Sequence, residues 1–100
     1  MNWIATRTLS DPATGTEVKV SLSSPQQGAD GVWECLYRIE EGAKGHEDRG
    51  YGEDGCQALC LALEKIRLFL DSRPRSLSWN GMEPGLTGFH RVPASIGFGI

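Results

Sequence analysis

The hydrophobic pattern changes its period once, near residue 53, and this change limits the fold more than any other feature. Before it, apolar residues alternate with polar ones, as they do on strands that have one buried face. After it, apolar residues recur every three or four positions, as on an amphipathic helix. The sequence therefore predicts an α+β domain, with a sheet over residues 1–52 and a helix over residues 53–73.

The predicted sheet has four strands. The alternating runs lie at Ile4–Leu9, Val18–Leu22 and Trp33–Glu40, and a weaker, more polar run at His46–Tyr51 completes the set. The links between these runs are too short for crossover helices, so we expect an antiparallel meander whose last strand is an edge strand. The Ser- and Gly-rich segment Ser23–Gly31 is expected to be a loop.

The helix is predicted from capping signals as well as from its period. Asp54 is a suitable N-cap with Gln57 three residues later, and Pro74 disfavours helical geometry at Arg73. One stripe is expected to face the sheet, made of Cys56, Leu59, Leu63, Ile66 and Leu70. The sheet residues expected to pack against it are Val18, Val20, Trp33, Cys35, Tyr37 and Ile39.

Several large apolar residues are predicted to lie outside this core. Leu61 and Leu68 fall on the far face of the helix, where the tail or a partner would have to cover them. Leu36, with Trp3 or Ile4, is expected on the open face of the sheet, which would allow a weak homodimer.

The C-terminal segment, residues 74–100, is rich in Gly and Pro and is predicted to be an irregular tail. It still carries many large apolar side chains, which a disordered linker would lack. We expect Trp79 and Phe89 to anchor it on the helix or the sheet rim, with Met82–Thr87 mobile between them.

Composition limits the class of protein. The 100 residues suit a single domain. A net charge of -3, from 10 basic and 13 acidic residues, disfavours nucleic-acid binding. The 3 cysteines, an odd number, and the lack of a signal-peptide pattern or long apolar run predict a cytoplasmic protein that does not enter a membrane.

Acidic residues concentrate around the third and fourth strands. Residues 34–54 hold 7 acidic against 3 basic side chains, a local net charge of -4. Such a surface can steer a basic partner. The sequence thus favours a small protein-binding module, of immunity or regulatory type, with a candidate partner-binding set of Glu34, Glu40, Glu41, His46, Glu47 and Asp48.

A small-ligand-binding or enzymatic domain is the alternative. Gly50–Gly55 matches the G-x-G-x-x-G pattern before a helix, and His46 with nearby carboxylates could serve acid–base chemistry. Against this, Glu53 and Asp54 would repel a phosphate, and no second parallel strand follows the helix. No nucleophile motif is present, so an enzyme is not favoured.

A metal site is the remaining alternative. Cys56 and Cys60, with His46 or His90, could supply ligands, but the paired knuckles of structural zinc sites are missing. Cysteine is also among the most buried residue types. We therefore expect core cysteines, no metal and no cofactor.

Several segments together resemble a small bacterial family of unknown function. They are the Ile4–Leu9 strand, the Gln57–Glu64 helix segment, the Trp79–Gly81 turn and the Gly88–Pro93 stretch near the end. The resemblance implies a strand meander followed by a helix, in a bacterial, stand-alone cytoplasmic domain. It implies no activity and transfers no catalytic residue.

Overall fold

The alternating first half of the chain forms an antiparallel sheet, and the helical second part packs on one face of it. The structure is a computed structural model that describes residues 3–12, 14–72, 77–78 and 89. Its elements are β1 (Trp3–Asp11), β2 (Thr16–Ser23), β3 (Gln26–Gln27), β4 (Trp33–Glu41), β5 (Lys44–Gly52) and α1 (Gly55–Asp71). The predicted α+β class is confirmed, with five strands in place of the four predicted.

The additional strand does not change the meander. β1 pairs with β2, β2 pairs with residues 37–41 of β4, and β3 pairs with residues 33–34 of β4. Because β5 pairs along the whole of β4, β2 and β3 must share its other edge. Pro25, which has no N–H, stands between β2 and β3. At this break the Ser23 hydroxyl accepts the Leu36 N–H at 3.0 Å. The short strand β3 lies within Ser23–Gly31, the segment predicted to be a loop.

A short hairpin joins β4 to β5. Only Gly42 and Ala43 lie between the two strands, fewer than the loop predicted from the sequence. Gly42 has φ 60°, in the left-handed region that glycine adopts most readily. This tight turn aligns β5 with β4 from Lys44 to Gly52.

The stripe that the helix presents to the sheet matches the predicted one only in part, since Ile66 and Leu70 are buried as predicted but Ala58 and Ala62 take the central positions. Ala58, Ala62, Ile66 and Leu70 are buried, whereas Leu59 and Leu63 are only partly buried. Cys56 is exposed, so its assignment to the core was wrong. The remaining core is formed by Leu9, Val18, Val20, Leu22, Cys35, Tyr37, Ile39 and Leu77, with Trp33 partly buried against it.

Two glycines of β5 explain this rotation. A Cβ atom on Gly52 would lie 2.5 Å from the Ala58 nitrogen, and one on Gly50 would lie 2.9 Å from the Ala62 Cα. The helix backbone therefore rests directly on the strand backbone, which only small residues on both sides allow. The larger leucines of the helix pack beside this contact rather than within it.

The start of the helix follows the predicted capping box. The Asp54 carboxylate accepts the Gln57 N–H at 2.7 Å, and Gln57 Oε1 accepts the Glu53 N–H at 2.7 Å. The helix covers residues 55–71, two residues shorter at each end than predicted. At its end, the Ser72 hydroxyl donates to the Phe69 carbonyl at 2.6 Å.

Leu36 does not lie exposed on the second face of the sheet, as predicted. It is 6% exposed and lies in the middle of β4, which has strands along both of its edges. Ile4 is 59% exposed, as expected for a position on the edge strand β1. The apolar surface proposed for a homodimer is therefore smaller than the sequence indicated.

The described part of the tail lies along β1. Leu77 is buried, and Ser78 exchanges backbone hydrogen bonds of 3.0 and 2.9 Å with Ser10. Phe89 packs against the core, 5.0 Å below the Arg7 guanidinium, in agreement with its predicted anchoring role. The predictions for Trp79 and for Met82–Thr87 lie outside the described residues.

We predict that Gly50→Ala destabilises the protein by about 3 kcal/mol, the upper end of the usual cost of overpacking, because the added methyl group meets helix backbone that cannot rotate away. Gly45→Ala is the matched control, since its Cβ would meet only the Arg38 side chain at 3.8 Å. Urea denaturation of both variants measures the difference. Equal stabilities would contradict the close approach of α1 to β5.

We also predict that Ile66→Ala lowers the free energy of unfolding by about 2–5 kcal/mol. Ile66 is fully buried, whereas Leu63 is only partly buried, so Leu63→Ala should have the smaller effect. The stripe predicted from the sequence contains both residues, so it would predict similar losses of stability for Ile66→Ala and Leu63→Ala. Denaturation curves of the two variants therefore separate the observed helix orientation from the predicted one.

Candidate functional site

The strand register divides the predicted site residues between the two faces of the sheet. Directly opposed residues of an antiparallel pair point to the same face. His46 and Asp48 lie opposite Ile39 and Tyr37, which belong to the core beneath the helix. Toward the helix are Glu41, His46 and Asp48, and on the other face are Glu34, Glu40 and Glu47.

On the face away from the helix, acidic side chains alternate with arginines. Arg38 Nε lies 3.4 Å from Glu40 Oε1 and 3.9 Å from Glu47 Oε2. Arg49 Nη1 lies 3.9 Å from Glu34 Oε1. These exposed pairs contribute little to stability, but they partly neutralise the acidic charge that the sequence concentrates here.

On the helix-facing side, His46 lies among aromatic rings. Its ring stacks on Phe69 with centroids 4.7 Å apart, and its Nε2 is 3.5 Å from the Tyr37 hydroxyl. Burial, and secondarily the charge of Asp48, raise the pKa of Tyr37 to about 12, so this hydroxyl stays protonated at neutral pH. A half-open hollow beside His46 is lined by Ile39, Glu41, Lys44, Gly45, His46 and Phe69.

The Gly50–Gly55 turn is filled by the chain itself. The helix backbone occupies the space beside Gly50 and Gly52. The Asp54 carboxylate takes the Gln57 N–H, a helix N-terminal donor that a phosphate would need. The glycine spacing therefore serves helix packing, and the turn offers no phosphate cradle.

The cysteines differ from one another in environment. Cys35 is buried, and burial raises the pKa of its thiol, whereas Cys56 is exposed and Cys60 is partly buried. In the part of the chain that the structure describes, no three His, Cys, Asp or Glu side chains form a metal-ligand cluster. His90, which the sequence offers as a possible metal ligand, lies outside the described residues.

The hydrogen bonds of the Arg49 backbone show which N–H and C=O groups of β5 point away from β4. Its N–H donates to Asp48 Oδ1 at 2.8 Å, and its C=O accepts a hydrogen bond from Lys65 Nζ at 2.8 Å. In an antiparallel ladder, the N–H and C=O groups of one residue point to the same side. Since the side chains of Asp48 and Lys65 bind these two groups, the N–H and C=O of Arg49 point away from β4, toward the free edge of β5.

Helix side chains close the C-terminal half of this edge. Lys65 also pairs with Asp48 at 3.4 Å, and its ammonium group lies 5.8 Å from the centre of the Tyr51 ring. Further along, Gln57 takes the Glu53 N–H. The Arg49 N–H and, secondarily, Lys65 lower the pKa of the Asp48 carboxyl, so this carboxylate is charged at neutral pH.

In the part of the chain that the structure describes, the N-terminal half of the same edge has no backbone partner. Backbone groups alternate in direction along a strand, so those of Gly45 and Glu47 point outward like those of Arg49. Among the described residues, none pairs with these outward groups. The described tail residues lie instead on the opposite edge, where Ser78 pairs with Ser10 of β1.

An apolar helix flank accompanies the open edge. Gln57 and Lys65 both reach the edge of β5, which identifies the side of α1 that borders it. Leu61 and Leu68 lie on the same side by helical spacing. Leu68 is 55% exposed, so the described tail does not cover it.

These features define a small α+β domain in which one helix covers an antiparallel meander and, among the described residues, part of the last strand edge has no partner. The chain belongs to the family described as Domain of unknown function (DUF6968), whose model matches residues 5–91. This confirms the resemblance to a small family of unknown function. No curated protein and no solved structure matches the chain.

The open edge could not be identified from the sequence alone. His46, Glu47 and Asp48 were included in the predicted set for their charge, but Gly45, Lys65 and Leu68 were not. The one sequence feature that points to this edge is the polar, glycine-bounded character of the last strand.

Within the described residues, no helix has the length and apolar character needed to cross a membrane.

We predict that Asp48→Asn destabilises the protein at neutral pH by less than about 1 kcal/mol, since the pair with Lys65 is exposed. The folded-state pKa of Asp48 is lowered, so its contribution is present above the unfolded value near 4 and is lost as pH falls through the folded value. The difference between variant and wild type should therefore shrink in acid. Denaturation as a function of pH tests this, and a difference that stays constant would contradict a stabilising role for the Asp48 carboxylate.

Proposed function

We propose that this chain is a protein-binding module that takes up an extended segment of a partner at the open half of β5. One observation carries the proposal: the outward backbone groups of Gly45 and Glu47 are left without partners by the described residues, while those at Arg49 and Glu53 are closed. An open strand edge of this kind recognises an extended chain through main-chain hydrogen bonds.

The surroundings of the edge supply side-chain contacts for such a segment. Alternate side chains of an added strand would point toward the helix side, where Leu68 and the hollow beside His46 offer apolar surface. The others would point toward the face that holds Glu47 and Arg49. Main-chain bonds would provide affinity, and these two surfaces would provide selectivity.

The acidic residues contribute mainly to partner choice. Glu47 and Asp48 lie on the edge strand, and Glu34, Glu40 and Glu41 lie behind it on β4. With a net charge of -3, the chain favours a partner segment that carries basic residues over a nucleic acid. Covering such a segment would block its other contacts, which suits an immunity-type or regulatory role in the cytoplasm.

We predict that Glu47→Pro abolishes partner binding, because proline removes the outward N–H while the bonds to β4 remain. Glu47→Gln is the matched control, since it removes only the charge. Affinity capture from the source cells, followed by mass spectrometry, should recover a protein with the wild type and with Glu47→Gln. At least tenfold less of it should be recovered with Glu47→Pro.

Amide chemical shifts locate the binding site independently. Titration of the captured protein into labelled chain should move the amides of Gly45 and Glu47 more than those on β1. Equal capture by the proline variant, or shifts confined to β1, would contradict the proposal. Circular dichroism of Glu47→Pro confirms that the variant is folded.

A further inference from the structure

We infer that the segment bound at this edge is the same strand of a second copy, so that two chains join through β5 in a two-fold antiparallel pair centred on His46. The inference rests on the proposed function, because it uses the same open edge. It adds the identity of the partner and the register of the pairing.

The register follows from which backbone groups are available. Two-fold pairing centred on His46 sets Gly45 opposite Glu47 of the second copy, and Glu47 opposite its Gly45. Each of these pairs can exchange both of its N–H···O bonds. Centring on Glu47 would set Gly45 opposite Arg49, whose groups are already taken, and centring on Gly45 would require Ala43 of the turn.

Charge complementarity favours the same register. It sets Lys44 opposite Asp48 of the second copy, and the two-fold axis repeats this pair. Within the described part of the chain, Lys44 has no ion pair of its own. Opposite charges in directly facing positions stabilise paired strands. A register centred on Asp48 would instead place two aspartates opposite each other.

The helix flank is self-complementary in the same arrangement. Leu68 is 55% exposed on the side of α1 that borders the edge. A two-fold axis through the edge brings this flank toward the same flank of the second copy, which gives Leu68 an apolar neighbour. An interface whose single patch contacts its own copy is the usual form of a homodimer. The contact is small, so the expected dimer is a weak one.

Sedimentation velocity over a range of concentrations tests the dimer. The wild type should shift from monomer to dimer as concentration rises. Glu47→Gln should do the same, because in this register the Glu47 side chain faces Gly45 and its charge has no partner across the interface. Glu47→Pro should sediment as a monomer throughout, and Lys44→Glu should raise the dissociation constant at least tenfold. A wild type that stays monomeric, or a proline variant that still dimerises, would overturn the inference.

Disulfide formation tests the register. In a Cys56→Ser, Cys60→Ser background, His46→Cys places two thiols at facing, non-hydrogen-bonded positions on the axis, where strands approach most closely. Mild oxidation should link the chains. Glu47→Cys is the control, because in this register it faces Gly45 and should not link. Equal linking of both variants, or of neither, would overturn the register.

The two proposals fail separately. If the chain is monomeric but captures another protein in a manner that requires the Glu47 N–H, the second-copy inference is wrong and the proposed function stands. If the chain neither dimerises through β5 nor binds a partner there, both are wrong.

Discussion

The contact between the β5 backbone and the helix backbone determines most of the structure. Gly50 and Gly52 leave no side chains between the strand and the helix, and Ala58 and Ala62 complete the close approach. The helix consequently lies beneath the last strand of the meander, with one flank beside its edge. Side chains on that flank can then reach backbone groups of the strand, as Lys65 and Gln57 do. Glycines that match a nucleotide-binding pattern thus serve to close part of a sheet edge.

Much of the fold could be predicted, because strand alternation and helix capping are local signals. The N-cap at Asp54, the antiparallel meander and the polar last strand all follow from neighbouring residues. The orientation of the helix could not be predicted in the same way. Periodicity selects the stripe with the largest apolar residues, which favoured Cys56 and Leu63. The close approach at β5 instead favours the stripe of small residues, and only the tertiary pairing reveals it.

The candidate site was predictable in part, for a related reason. Sequence places His46, Glu47 and Asp48 on one strand but does not reveal which backbone groups face the neighbouring strand. That direction depends on the hydrogen-bond register of β4 and β5, which the bonds of Arg49 establish. The net charge of residues 34–54 likewise does not reveal that their side chains lie on two faces. The strand register divides them between two faces and sets Arg38 and Arg49 among the acids.

An edge strand presents unpaired backbone groups to any passing chain, and proteins usually block them with charges, turns or covering side chains. Here the block is uneven. The half of β5 that follows Asp48 is held by an ion pair and by helix side chains. Among the described residues, nothing pairs with the outward backbone groups of the half that contains Gly45, which is bordered by charged side chains and by the exposed Leu68. Charged neighbours discourage apolar strands but accept a strand of complementary charge. We therefore propose that this edge resists nonspecific addition and admits a segment whose charges complement both Lys44 and Asp48.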